Sequence, residues 1–178
     1  MEITSEMLVH FLGKTDVFAR FEPEEIESFA PNFEFITVEA EHTIFREGSN
    51  GDGWWVILGG EVSVTKAMPS GPPHVLSHLY PGDTFGEMAL LDGSPRMASL
   101  YAVEESFLAR LSRDVFLQLL RDQSMPAIKL LWAMSVVLCQ RQRELTSVLS
   151  DLVEGPEDET VRDVEMLSQL LKSNVTWN

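Results

Sequence analysis

Residues 85–100 read FGEMALLDGSPRMASL, an apolar run that contains one acid, Glu87, and one base, Arg96. Arg96 follows a turn-forming segment, Asp-Gly-Ser-Pro, and precedes Met-Ala-Ser. Burying an isolated ionised group is costly unless a partner compensates its charge. The stretch therefore predicts one of two arrangements. Either Glu87 and Arg96 neutralise each other, or each is kept for a ligand that is not protein.

Short β-branched and aromatic runs surround this stretch over residues 33–111. They are FEFITVE, HTIFRE, WWVIL, EVSVTK, HVLSHLY and SLYAVEESFLARL, with Gly, Pro, Asn and Asp between them at close intervals. This spacing is typical of a β-sandwich or a β-barrel. Residues 51–53 (Gly-Asp-Gly) and 59–60 (Gly-Gly) predict tight hairpins. Residues 69–73 predict a Pro/Gly loop that projects from the sheet.

Helical patterns flank the β region on both sides. Residues 1–32 predict two short helices, the second with Pro23 in its first turn. Residues 112–153 predict a short helix and then a long one that starts near Ser124 and carries a broad apolar stripe. An acidic Gly-Pro linker and a short tail helix are expected over residues 154–178. The predicted fold is mainly β with flanking N-terminal and C-terminal helices.

The formal net charge of −15 limits the partners of the chain. Nucleic-acid binding requires clustered Lys and Arg, and the densest basic cluster, residues 140–143, is followed at once by Glu144. We therefore expect no DNA binding by this chain alone. No apolar run is long enough to span a membrane. No secretory leader opens the chain, and the single Cys139 cannot form an internal disulfide, which favours a cytoplasmic location.

The sequence contains no pattern that is typical of catalysis or metal binding. No Ser or Cys nucleophile stands in a motif that would supply its base. The clustered His and Glu residues of a cupin-type metal site are also absent. We therefore expect a protein that is not an enzyme and that carries neither a metal nor a cofactor.

A short helix over residues 85–91, at the rim of a β-barrel, would make the opening stretch an anion site. The first N–H groups of a helix are free to bind phosphate, and Gly86 allows a ligand to approach the backbone closely. Glu87 offers acceptors to a sugar hydroxyl, and Arg96 offers a forked donor to a phosphate. A ligand with a phosphate and a hydroxyl on one small ring would satisfy both ions.

The stretch resembles the phosphate-binding cassette of the cyclic nucleotide-binding domain family. FGEMALLDGSPRMAS follows that family's pattern, in which F-G-E, an apolar run and a turn precede P-R-x-A-S/T. IFREGSNGDGWWVILGGEVSV resembles the family segment I-x-x-E-G-D…Y-x-I-x-x-G-x-V. The resemblance covers about residues 16–149. It implies a double-stranded β-helix, also called a jelly roll or β-roll, with the cassette over residues 82–99.

The resemblance also implies roles for individual cassette residues. Arg96 would bind the exocyclic phosphate oxygens, and Glu87 would bind the ribose 2′-hydroxyl with help from the Gly86 amide. The full ligand-contacting set that it implies is Gly86, Glu87, Met88, Ala89, Arg96, Met97, Ala98 and Ser99.

By the same resemblance, the long C-terminal helix would form a lid over the base. The residues expected near the lid position are Leu138, Arg141, Gln142 and Leu145. For Arg141 and Gln142, a solvated helix face is an equal alternative.

Three positions bear on how closely the chain follows the family and on which ligand it prefers. Glu41 stands where the family usually has Gly, and Trp55 where it often has Tyr. Met97 follows the cassette arginine, where relatives that prefer cGMP often carry a Thr or Ser that can reach the guanine amino group. Because Met97 has no hydroxyl, the predicted ligand is cAMP in preference to cGMP.

The sequence thus predicts a stand-alone cyclic nucleotide receptor in which binding repositions the C-terminal helix. The apolar excess over residues 128–149 predicts a homodimer through that helix, and the downstream partner is left unidentified. Two alternatives remain open. One is a ligand-free β-roll that serves as an interaction or dimerisation module, in which Glu87 and Arg96 form a structural ion pair. The other is the receptor part of a Crp/Fnr-type transcription regulator without its DNA-binding domain.

Overall fold

The computed structural model describes residues 5–153, within which eight strands form two antiparallel sheets. In the first sheet the order is β1 (Glu34–Val38), β8 (Ser106–Ser112), β3 (Gly53–Gly59) and β6 (Thr84–Phe85). In the second sheet the order is β2 (Thr43–Phe45), β7 (Ser99–Ala102), β4 (Val62–Lys66) and β5 (His74–Leu79). The predicted double-stranded β-roll is confirmed.

The interior of the β-roll lies between the two sheets. Trp55, Ile57 and Leu108 from the first sheet pack with Val62 and Leu100 from the second. Because successive side chains of a strand point to opposite faces, the neighbouring Trp54 points out of the roll. It packs on the other face of the first sheet against aromatic residues of the N-terminal segment, with the Phe18 and Phe33 ring centroids 6.1 Å away. The β-roll therefore has apolar layers on both faces of its first sheet.

Five α-helices accompany the strands in the described residues. They are α1 (Ser5–Leu12), α2 (Pro23–Phe29), α3 (Glu87–Asp92), α4 (Arg113–Arg121) and α5 (Met125–Val153). The predicted second helix with Pro23 in its first turn is confirmed, and its N-cap, Glu22, forms a capping box with Glu25. The serine that precedes α4, Ser112, accepts a hydrogen bond from the Val115 amide and so caps that helix.

Two predicted hairpins are wrong. Residues 51 and 52 end the connection from β2 to β3, and Gly60 begins the connection from β3 to β4, yet neither pair of successive strands is hydrogen-bonded together. The glycines correctly predicted that the chain changes direction. At both places, however, the chain passes from one sheet to the other instead of forming a hairpin within one sheet. The projecting loop over residues 69–73 is confirmed, because it joins the paired strands β4 and β5 and is exposed.

Glu41, the departure from the family's glycine, has a left-handed backbone with φ = +64°. Its amide donates to the Ala102 carbonyl oxygen at 2.9 Å, which fixes the turn between β1 and β2. Glu41 thus adopts the left-handed conformation that favours glycine, and this costs some backbone strain because Glu41 has a side chain.

The chain divides into two compact units, one up to Met134 and the other from Ser135 onward. The boundary falls within α5. The first part of α5 buries Ala127, Leu130 and Met134. The predicted linker and tail helix over residues 154–178 lie outside the described residues.

Candidate functional site

The opening stretch forms a strand, a short helix and a loop in the first unit. β6 ends at Phe85, Gly86 caps α3 in a left-handed conformation with φ = +85°, and Gly93 ends α3 with φ = +75°. The predicted helix start at Phe85 is wrong, because Phe85 belongs to the sheet and the helix begins at Glu87. The loop that follows α3 returns the chain to β7 and carries Arg96.

Gly86 occupies a site that has no room for a side chain. A Cβ atom there would collide with Arg96 Nη1, would lie 2.9 Å from the Gly53 carbonyl oxygen and would lie 3.4 Å from Trp55 Cδ1. Left-handed backbone also favours glycine. Gly86 therefore lets the backbone before α3 lie directly against the guanidinium group.

The Arg96 side chain is almost completely buried, with the residue only 4% exposed. Its Nη2 donates to the Gly53 carbonyl oxygen at 2.8 Å and to Asp52 Oδ1 at 3.2 Å. The guanidinium carbon lies 4.1 Å from the Phe45 ring centroid, which is a cation–π contact. Among the described residues, Arg96 Nε has no hydrogen-bond partner. A buried charged donor without an acceptor favours an anionic ligand at this position.

The electrostatics of Arg96 combine opposing effects. Burial lowers the pKa of the guanidinium from its usual value, since desolvation disfavours the charged form. Asp52 and Glu87 raise that pKa, and the positive charge of Arg110 lowers it. Glu87 is itself 6% exposed. The structure therefore brings the two predicted ions, Glu87 and Arg96, into one buried region, as the sequence predicted.

The sequence did not predict Asp52 or Arg110 as part of this region. Asp52 Oδ1 contacts Arg96, and Asp52 Oδ2 accepts from Arg110 Nη2 at 2.7 Å. The two glycines that flank Asp52 in the sequence could have indicated a residue in a crowded place, and in the structure both Gly51 and Gly53 are crowded. A Cβ at Gly51 would lie 2.7 Å from the Ser94 carbonyl oxygen, and one at Gly53 would lie 2.8 Å from that of Leu111. Asp52 is thus held between two glycines that the surrounding backbone requires.

The other predicted cassette residues have varied surroundings. Met88 and Met97 are exposed, Ala98 is half-buried, and Ala89 is buried against the backbone of Gly51. The Ser99 hydroxyl accepts a hydrogen bond from the Glu47 amide at 2.9 Å. Whether these residues contact a ligand stays a prediction.

Backbone hydrogen bonds fix the loop that carries Arg96. The Gly48 amide donates to the Arg96 carbonyl oxygen, and the Arg96 amide donates to the Ser49 carbonyl oxygen, both at 2.8 Å. Lys66 Nζ donates to the Met97 carbonyl oxygen at 2.6 Å and pairs with Glu47. The arginine is therefore presented from a loop that is tied to the residues after β2.

The predicted lid residues belong to the second unit, where α5 continues as a helix to Val153. Leu138 is half-buried, and Arg141, Gln142 and Leu145 are exposed. Their role as a lid stays a prediction.

Taken together, residues 85–99 provide a buried cation whose Nε has no partner among the described residues, a buried carboxylate nearby and a tightly turned glycine backbone. The family model described as cyclic nucleotide-binding domain matches residues 35–123, half of the chain. The chain belongs to the cyclic nucleotide-binding domain family. The resemblance seen in the sequence is therefore confirmed.

Comparison with known proteins gives similar proteins of regulatory function. The CRP-like cAMP-activated global transcriptional regulator of Mycobacterium tuberculosis is 28% identical over 80% of this chain and 62% of its own length. The catabolite activator protein of Thermus thermophilus has a TM-score of 0.71 and 29% identity, over 78% of this chain and 63% of that one. A cyclic nucleotide-binding domain from Methylobacillus flagellatus has a TM-score of 0.72 and 28% identity, over 86% of both chains. The chain thus spans about three fifths of the first of these relatives.

Between Ser5 and Val153, no three His, Cys, Asp or Glu residues are grouped so that they could hold a metal ion. Within the same range, no helix has the length and apolar character needed to cross a membrane.

Proposed function

We propose that this protein is a cyclic nucleotide receptor that binds cAMP in preference to cGMP. The observation that carries the proposal is Arg96, a nearly fully buried arginine whose Nε has no hydrogen-bond partner among the described residues and whose charge interacts with that of the buried Glu87. The guanidinium would bind the cyclic phosphate, and the carboxylate would accept a hydrogen bond from the ribose hydroxyl. Hydrogen bonds to charged groups contribute roughly 1.5–3 kcal/mol each, so a few of them support about micromolar affinity.

The preference for cAMP rests on Met97, which is exposed and lacks a hydroxyl group. A thioether cannot donate a hydrogen bond, and it accepts one only weakly. Guanine would therefore gain no strong polar contact from this side chain. Several curated relatives are also named for cAMP, among them the regulatory subunit of the cAMP-dependent protein kinase of Aspergillus fumigatus, 36% identical over 62% of this chain.

The receptor would work as a homodimer in the cytoplasm, in which ligand binding shifts the position of α5. Leu131, Leu138, Leu145 and Leu152 recur along α5 at intervals of seven residues. Ile128, Ser135, Gln142 and Leu149 alternate with them at the other seam positions of a heptad. Such a pattern favours a parallel two-stranded coiled coil. The signal would pass to a downstream protein partner, and the chain itself would carry out no catalysis.

Isothermal titration calorimetry of the purified chain with cAMP, and separately with cGMP, tests the proposal. We expect saturable cAMP binding that is tighter than cGMP binding and is lost in Arg96→Ala. Arg121→Ala is the matched control, since Arg121 lies at the exposed end of α4, and we expect it to bind as the wild type does. Equal affinities for the two nucleotides would contradict only the preference for cAMP that is argued from Met97. No binding of either at millimolar ligand would remove the receptor function.

The second candidate is the receptor part of a transcription regulator. It is favoured by the similarity to the N-terminal domain of a Streptomyces coelicolor transcriptional regulator, with a TM-score of 0.67, 26% identity and coverage of 94% of that chain. With a net charge of −15, we expect this chain alone not to retard duplex DNA at physiological salt, with or without cAMP. Retardation of the duplex would show that DNA binding resides within these 178 residues.

A further inference from the structure

Asp52 is shared by two arginines at the edge of the binding site. Its Oδ2 accepts from Arg110 Nη2 at 2.7 Å, and its Oδ1 accepts from Arg96 Nη2 at 3.2 Å. The shorter contact is with Arg110, which also donates to the Asp52 carbonyl oxygen at 3.2 Å. Arg110 therefore holds both the backbone and the carboxylate of Asp52.

Arg110 is itself fixed from several directions. Its Nη1 donates to Glu34 Oε2 at 2.8 Å, and its guanidinium carbon lies 5.6 Å from the Trp55 ring centroid. In the register of the first sheet, Arg110 pairs with Glu34 on β1 and with Trp55 on β3. Directly paired residues lie on the same face of a sheet. The three side chains thus form one row, and the Arg110 side chain is only 18% exposed.

The division of Asp52 between the two arginines affects what Arg96 can offer a ligand. Because the Asp52 carboxylate lies closer to Arg110 (2.7 Å) than to Arg96 (3.2 Å), Arg110 compensates part of its charge. More of the Arg96 charge is then left for an incoming anion. Without Arg110, Asp52 keeps, among the described residues, only its ion pair with Arg96. The carboxylate would then bind Arg96 more closely and compete with the phosphate of the ligand.

We propose that Arg110 is a positioning residue of the nucleotide site, which holds Asp52 so that Arg96 keeps its charge and its unpaired Nε for the ligand phosphate. This inference rests on the proposed function, because it concerns the affinity for the same ligand. Arg110 acts through Asp52 and needs no contact with the nucleotide. Its effect on affinity should therefore depend on whether Asp52 carries a charge.

The experiment is a double-mutant cycle on the full chain, with cAMP affinity measured by calorimetry. Arg110→Met is introduced into the wild type and into Asp52→Asn, which cannot form either ion pair. We expect Arg110→Met to weaken cAMP binding about tenfold in the wild type and less than about twofold in Asp52→Asn. Arg121→Met removes an exposed positive charge from α4 and should leave the affinity unchanged.

Arg110→Lys provides a second variant that keeps the charge but loses the planar fork that reaches both Glu34 and Asp52. We expect its affinity to fall between those of wild type and Arg110→Met, and thermal unfolding of each variant verifies that it is folded. Equal losses for Arg110→Met in the two backgrounds would overturn the inference, as would wild-type affinity in Arg110→Lys. If the wild type binds cAMP and Arg110→Met binds it equally well, only this inference fails. If the wild type binds no nucleotide, the proposed function fails, and this inference fails with it.

Discussion

Gly86 meets two separate demands at the scale of a single residue, a left-handed backbone and open space beside Arg96. We expect Gly86→Ala to destabilise the fold, because a Cβ costs about 1–2 kcal/mol in left-handed backbone. The same Cβ would push against Arg96 Nη1 and the Gly53 carbonyl oxygen. We therefore expect Gly86→Ala also to lose cAMP binding. Urea unfolding measures the first effect and calorimetry measures the second.

Gly82→Ala separates the two effects. Gly82 has a left-handed φ of +98°, yet a Cβ there would meet nothing within 4 Å. We expect Gly82→Ala to show the backbone cost alone, with cAMP affinity within about twofold of the wild type. Equal stabilities and equal affinities for the two alanine variants would show that crowding at Gly86 does not matter.

Glu41 is the opposite case, a residue with a side chain in a conformation that favours glycine. We expect Glu41→Gly to raise the free energy of unfolding by about 0.5–1 kcal/mol, since relief of left-handed strain exceeds the added entropy of the unfolded chain. Glu39→Gly is the control, because it removes the same charge two residues earlier without a positive φ and should destabilise the fold. Urea unfolding compares the two. A loss of stability in Glu41→Gly would mean that its side chain stabilises the turn.

At the scale of elements, an ion pair ties α2 to the first part of α5. Lys129 Nζ lies 2.6 Å from Glu25 Oε1, and this contact, together with the Glu22 amide, holds the pKa of the Glu25 carboxyl below its usual 4.5. A carboxyl with a lower pKa in the folded state stabilises the fold above its unfolded pKa. That stabilisation is lost as the pH falls from about 4.5 through the lower folded pKa.

We therefore expect Lys129→Met to be less stable than the wild type above pH 4.5, by an amount that is constant across neutral pH. Below pH 4.5 the difference in urea midpoint should shrink, because protonated Glu25 no longer pairs with Lys129. Lys14→Met removes a different exposed lysine and should show no such narrowing. A difference between Lys129→Met and wild type that stays constant through acid pH would exclude the ion pair as its cause.

The helices and strands could largely be predicted from the sequence, because hydrophobic periodicity and turn-forming residues depend only on nearby positions in the chain. The β character of residues 33–111, the helices α2 and α4 and the long α5 all follow from such patterns, whereas the β-roll itself was implied by the family resemblance. Strand pairing does not, and the two glycine segments predicted as hairpins lead between different sheets. A glycine pair shows that the chain can turn, but it carries no information on which strand the next one will join.

The difference between local patterns and strand pairing also explains which residues of the candidate site could be predicted from the sequence. Glu87 and Arg96 lie nine residues apart in one motif, so a joint role could be predicted for them from the sequence. Asp52 and Arg110 are 58 residues apart, and the pairing of β3 with β8 brings them together. From sequence alone, an arginine in a strand is predicted to be exposed to solvent. Only the register of the sheet shows which side chains lie next to it.

At the scale of the whole molecule, the heptad seam of α5 predicts a dimer of twice the 20.0 kDa mass of the chain. Ile128 and Leu145 occupy seam positions, and both are exposed within the single chain. Exposed apolar groups that repeat along one helix are stabilised when a second helix covers them. Replacing both by serine should therefore weaken association while leaving the core of the chain intact.

We expect Ile128→Ser combined with Leu145→Ser to convert the dimer to a monomer in size-exclusion chromatography with light scattering. Gln140→Ser is the control, because Gln140 lies on the same helix, is exposed and falls outside the seam. Thermal unfolding at low concentration should be similar for all three proteins, since the replaced side chains are exposed in the chain. A monomeric wild type would contradict the predicted dimer. A double variant that stays dimeric would show that the interface lies on another surface.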